Sequence, residues 1–150
     1  MSVVIDFANE KDLPYLVDLL AELFALEKDF RPDRDKQLRG LSTILDEPEL
    51  GKLFVVREGG RVIGMANALF TISTAEGGRA LLLEDVIVRG EHRGKGYGRQ
   101  LVEYVLHWAK QRGIVRITLL ADRDNRGAQD FYHHLGFADS HMTVLRKHLV

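Results

Sequence analysis

The stretch Val86–Lys110, "VIVRGEHRGKGYGRQLVEYVLHWAK", decides how this chain is read. An apolar run ends at Val88, glycines follow at 90, 94, 96 and 98, and a patterned segment begins at once. Gly98, Leu101, Val102, Val105, Leu106 and Ala109 recur at helical spacing, with Arg99, Glu103, His107 and Lys110 off that stripe. The spacing predicts an amphipathic helix opened by a glycine-rich, basic elbow. A helix N-terminus carries about half a positive charge and several N–H groups without intrahelical partners. Glycine lets the main chain approach a ligand closely and adopt positive φ. Successive N–H groups then form an anion nest, and Arg93, Lys95 and Arg99 raise the local potential. The guest that suits them is phosphate, above all a pyrophosphate. A turn that merely joins strand to helix accounts less well for alternating glycines set among Arg and Lys.

Two common phosphate loops are excluded. A Walker A loop needs a Ser or Thr after its Gly-Lys, and none is present here. A G-x-G-x-x-G fingerprint starting at Gly94 or Gly96 meets Arg99 or Leu101 where its third glycine belongs.

Working outward, 150 residues suit one domain, residues 1–150, with a single substantial core. A net charge of -1 provides no bulk field for nucleic acid. The absence of cysteine removes disulfides, thiol nucleophiles and thiolate metal sites, and fits a reducing, cytoplasmic compartment. The opening "MSVVIDFANEKD" lacks the pattern of a signal peptide, and no apolar run reaches membrane-spanning length.

Ser2–Phe7 reads as a strand, and Asp12 as the cap of a helix carrying Leu16, Leu19, Leu20 and Leu23. Asp33 starts a second helix with Leu38, Leu41 and Leu45. "KLFVV" and "RVIGMANALFTIS" form a hairpin across Gly59-Gly60, and Ala80–Val88 is an apolar strand interrupted by two acids. Ile114–Leu120 is a strand after a left-handed cap at Gly113. Asn125 caps a last helix with Ala128, Phe131, Tyr132 and Leu135 inward, closed by Gly136, and "FADSHMTVLRKHL" provides one or two final strands. The class is α+β: six or seven mostly antiparallel strands with about four helices. By periodicity Trp108 faces outward, to cover a neighbouring element or meet a second copy of the chain.

"RGKGYG" (Arg93–Gly98) resembles the Arg/Gln-x-x-Gly-x-Gly/Ala loop of the GNAT superfamily of N-acetyltransferases. "LEDVIV" looks like that family's fourth strand, and "NRGAQDFYHHLGF" (Asn125–Phe137) resembles its Asn-x-x-Ala-x-x-x-Tyr-x-x-x-Gly-Phe segment. The resemblance implies acetyl-coenzyme A as acyl donor. It implies that the main chain of Arg93, Gly94, Lys95, Gly96, Tyr97 and Gly98 cradles the pyrophosphate. It further implies splayed fourth and fifth strands, with the pantetheine arm hydrogen-bonded along Val86, Ile87 and Val88 like an added strand. Asn125, Ala128 and Tyr132 would line the donor near the thioester.

Transfer to an amine requires a neutral nucleophile, and an alkylamine of pKa about 10.4 is only about one part in a thousand neutral at pH 7.4. That deficit holds back roughly 4 kcal/mol, so a base is valuable. Glu84 is the candidate base, direct or through water, with Asp85 second; pairing with an arginine is the competing role for either, and pointing to the sheet's far face a further alternative for Asp85. At the family's tyrosine position, Tyr132 would protonate the departing thiolate. Its competing role is core packing beside Phe131. The oxyanion would meet the N–H of Val88.

The six histidines form no recognisable metal-ligand spacing, so no metal is expected. Glu27 and Asp29, with Asp85, are candidates for holding a cationic acceptor. The mixed charges of Glu27–Asp35 leave little net field there, which favours a plain solvated turn. "LED" also resembles some diamine acetyltransferases. The leading expectation is an N-acetyltransferase for a small-molecule amine, without nucleic-acid or membrane partners. A protein or peptide acetyltransferase and a non-catalytic acyl-coenzyme A sensor are the alternatives.

Overall fold

These segments take up their positions in a computed structural model, which describes residues 2–150. Strand β1 (Val3–Phe7) leads into α1 (Leu13–Leu26) and α2 (Arg34–Asp46). A meander follows: β2 (Gly51–Glu58), β3 (Arg61–Ser73) and β4 (Gly78–Val88). Next come α3 (Tyr97–Gln111) and β5 (Arg116–Leu119), and one compact unit ends at Leu120. The second unit, Ala121–Val150, holds α4 (Arg126–His134).

The sheet runs β1-β2-β3-β4-β5, antiparallel throughout except for the parallel β4–β5 pair. The α+β class with four helices is as expected, but the described residues form five strands rather than six or seven. The missing strands were assigned to "FADSHMTVLRKHL". A strand satisfies its main chain only through a neighbour, and apolar alternation does not secure one. Residues 138–150 have no regular structure, and Met142, Leu145 and Leu149 are exposed. β5 is also shorter than expected. Ile114 N–H still closes the end of α3 on Ala109 O at 3.0 Å, so the strand begins two residues later.

Alternation along β2 sorts the core into two layers. Leu53 and Val55 join Leu16, Leu19, Leu20 and Leu41 beneath α1 and α2. Phe54 faces α3, its ring 5.2 Å from Trp108 and 6.0 Å from Tyr104. Trp108 is therefore buried, with Phe7 and Phe70 also around it, which corrects the expectation that it faces outward. Trp108 stands seven positions after Leu101 and three after Val105, so it belongs to the buried face of α3.

Asp12 precedes α1, but its side chain makes no cap. It accepts Asn9 N–H at 2.8 Å and a two-pronged contact from Arg57 at 2.8 and 2.7 Å. The hydrogen bond from Arg57 holds the Asp12 carboxyl below its usual range, against the opposing effect of burial. Arg57→Met leaves that buried carboxylate without its cation and is expected to cost about 3 kcal/mol in urea unfolding. Because the folded pKa is depressed, the contribution is complete above about pH 4 and is lost as pH falls through the folded value. The variant should therefore lose less stability than wild type between about pH 5 and pH 2.

Candidate active site

The elbow before α3 has the backbone that the glycines foretold. Gly94 and Gly96 sit at φ 80° and 81°, and Gly96 is the residue before the helix. A Cβ at either would meet no atom within 4 Å, so their need for glycine is conformational. The N–H groups of Gly94, Lys95 and Gly96 make no hydrogen bond among the described residues, and Gly98 lies in the first helical turn.

Side chains brace this elbow from behind. Arg93 donates to Val88 O (2.9 Å) and to Glu22 (2.7 Å), and Glu22 also accepts Gly90 N–H at 2.8 Å. The Arg93 N–H turns to Gly90 O at 3.3 Å. Tyr97 donates its hydroxyl to Glu58 at 2.6 Å, which raises the phenol pKa and lowers that of the carboxyl. His92 lies half-buried with Nδ1 3.7 Å from Glu58.

β4 runs straight into the elbow. Its ladder with β5 spans Ala80↔Arg116 to Leu83↔Leu119, while β4 continues to Val88. Arg89 N–H donates to Ile63 O on β3 at 2.8 Å. Edges alternate along a strand, so the Val88 N–H faces the opposite edge, where β5 has ended. Its carbonyl faces the same way and is the one that Arg93 caps. β4 therefore runs on past the last β5 pairing, next to an elbow rich in N–H donors.

A bulge re-aims the two acids. Met65 pairs with Ile87 and Asn67 with Glu84, so Asp85 and Val86 together oppose Ala66. Asp85 takes φ 55°, a left-handed conformation costing about 1 kcal/mol. Cross-strand partners share a face, and Asn67 is also opposite Leu53, which belongs to the core under α1 and α2. Glu84 therefore lies on that face, and the bulge brings Asp85 there too, where it accepts from Asn67 Nδ2 at 3.2 Å. Burial pushes the Asp85 carboxyl above the usual range, and the Asn67 hydrogen bond pulls the other way.

Within the second unit, Asn125 Oδ1 caps α4 by accepting Ala128 N–H at 3.0 Å, and Gly136 ends it at φ 96°. Tyr132 packs edge-on between Phe131 (5.0 Å) and Phe137 (5.8 Å). Glu27 and Asp29 lie in the α1–α2 connection, Glu27 half-buried and Asp29 exposed. No cluster that could hold a metal occurs among the described residues, and no helix among them is long and apolar enough to cross a membrane. Sequence reasoning missed Asn67 and Glu22. The first had a signal, a lone amide in the apolar run "GMANALF"; the second reads as an ordinary helix-surface acid.

A family model described as "Acetyltransferase (GNAT) family" matches residues 13–137. N-acetyltransferase 8 of Rattus norvegicus is 30% identical over 61% of this chain and 43% of its own length. Thialysine N-epsilon-acetyltransferase of Bos taurus is 34% identical over 55% of this chain and 48% of its own. The match thus spans less than half the length of these two curated relatives. The crystal structure of a transcriptional regulator from Bacillus halodurans C-125 aligns at a TM-score of 0.86 and 30% identity, covering 98% of this chain and 100% of that one.

Proposed function

This chain belongs to the GNAT family of acetyltransferases, and from that premise we propose that it transfers acetyl from acetyl-coenzyme A to a primary amine of a small molecule. The observation that carries this reading is the pair of left-handed glycines heading α3, beside a β4 edge that β5 has left. Anionic pyrophosphate suits the first and the amides of pantetheine suit the second. We treat residues 1–150 as one catalytic domain, since the family model extends across both units. A cytoplasmic setting fits the absence of cysteine.

In this reading Gly94, Lys95, Gly96, Tyr97 and Gly98 receive the pyrophosphate. Arg93 contributes by locking the elbow onto β4 and α1, rather than through its own N–H. Val86, Ile87 and Val88 line the pantetheine arm, and the Val88 N–H is the donor for the tetrahedral oxyanion. Glu84, directly or through water, takes a proton from the ammonium so that the neutral amine attacks the thioester carbon. As the C–S bond breaks, Tyr132 gives its proton to the thiolate, with Asn125 and Ala128 alongside the donor. Glu27, Asp29 and Asp85 are assigned to the acceptor. The name of the bovine relative supports a small primary amine.

The Bacillus halodurans structure, described as a transcriptional regulator, favours a second reading: a sensor that binds acyl-coenzyme A without turnover. Release of free thiol from acetyl-coenzyme A, screened against small amines and a lysine peptide, separates the readings. Amine-dependent release is expected; binding without release assigns the chain to the sensor class. Tyr132→Phe is expected to lower kcat about tenfold with little change in donor KM. An unchanged kcat would assign the ring to packing.

A further inference from the structure

We propose that Asn67 and Asp85 together form the seat for the acceptor's primary ammonium group, with Asn67 Oδ1 and the Asp85 carboxylate accepting its N–H bonds. This rests on the amine-acetylating reading above and adds the residue that selects for the amine. Asn67 is only 4% exposed, in the middle of β3. Its Nδ2 is used by Asp85, and its Oδ1 is buried without a hydrogen-bond partner. The reverse orientation of the amide would set Oδ1 against a carboxylate, two acceptors face to face.

What remains is acceptor capacity on both side chains. Buried acceptors in folded proteins are matched to donors, so an unmatched one marks a place where a ligand or water completes the structure. A guest able to satisfy both groups must bring several N–H bonds and a positive charge. A primary ammonium has three such bonds and no acceptor of its own. An ester, an amide carbonyl or a phosphate brings only oxygen acceptors and is rejected.

Asp85 and its neighbours Glu84 and Val86 are half-buried whereas Asn67 Oδ1 is covered, so the ammonium meets Asp85 at the bulge first and must displace what covers Asn67 to reach it. The left-handed backbone at Asp85 aims its carboxylate at Asn67 instead of following the strand's alternation. Glu84 is the direct cross-strand partner of Asn67, which places the assigned base on the same face as the seat. Strain, an orphaned acceptor and two acids thus coincide within one bulge.

The test pairs Asn67→Leu, which keeps the volume and removes the amide, with Asp85→Asn, which removes the charge. In steady-state assays with thialysine as acceptor, each is expected to raise the acceptor KM at least tenfold. The KM for acetyl-coenzyme A and the thermal shift with coenzyme A should stay as in wild type. An unchanged acceptor KM in a folded variant overturns the proposal. A second arm needs no variant: titrating thialysine into the wild-type protein with coenzyme A should shift the Asn67 side-chain amide resonances saturably. If Asn67 stays silent while thialysine is turned over, the seat is wrong and the activity stands. If no amine elicits thiol release, the activity reading fails, and the resonance titration still judges the seat.

Discussion

Gly96→Glu is expected to abolish the thermal stabilisation that coenzyme A confers on this protein. The residue stands at the head of α3 with φ 81°, where a side chain meets no clash but is held in a left-handed conformation. Glutamate there carries two penalties. The backbone strain is about 1–2 kcal/mol, and a fixed carboxylate faces the helix end that is meant for pyrophosphate. Wild type at a thousandfold excess over Kd gains about 4.1 kcal/mol, a rise in Tm on the order of 10 °C for a chain of this size. Gly96→Ala separates the two effects. It should lower the Tm of the free protein by a few degrees yet keep most of the response to coenzyme A. Loss of the response in both variants would tie it to the elbow's shape alone, and retention in Gly96→Glu would place the pyrophosphate elsewhere.

Glu84→Gln is expected to reduce kcat about 10²- to 10³-fold at neutral pH, within the range that a positioned base provides. The two side chains are nearly the same size, so packing beside Asn67 is preserved and the change reports on chemistry. The pH profile makes the assignment sharper. Without the base, turnover depends on amine that is already neutral, so the variant's rate should rise about tenfold per pH unit toward the amine pKa near 10.4. The deficit relative to wild type therefore shrinks as pH increases. A variant within threefold of wild type at neutral pH would shift the role to Asp85, the neighbour whose carboxyl burial pushes upward.

Legibility in the sequence followed the range of the interaction. The elbow and α3 were readable because alternating glycines and a helical stripe lie within 25 contiguous residues, Val86–Lys110. The cap of α4 was readable for the same reason: Asn125 and Ala128 are three positions apart. The Asp12–Arg57 pair joins residues 45 positions apart, and nothing local to Asp12 distinguishes that role from a helix cap. The bulge at Asp85 is a mismatch of register between β3 and β4, a property of two strands that neither displays alone. The expected final strands failed likewise, since "HMTVLRKHL" alternates plausibly but an available edge is a tertiary matter. In the site, Glu84 and Asp85 were visible as acids in an apolar strand. Their common face and the role of Asn67 came only with the register.

The central claim is that main-chain N–H groups at the head of α3 grip a pyrophosphate. Backbone amide resonances of Gly94, Gly96 and Gly98 read this directly. On titration with coenzyme A they are expected to shift saturably, and with pantetheine, which lacks the pyrophosphate, to stay in place. Saturable binding of coenzyme A that leaves those three resonances unmoved would contradict the account.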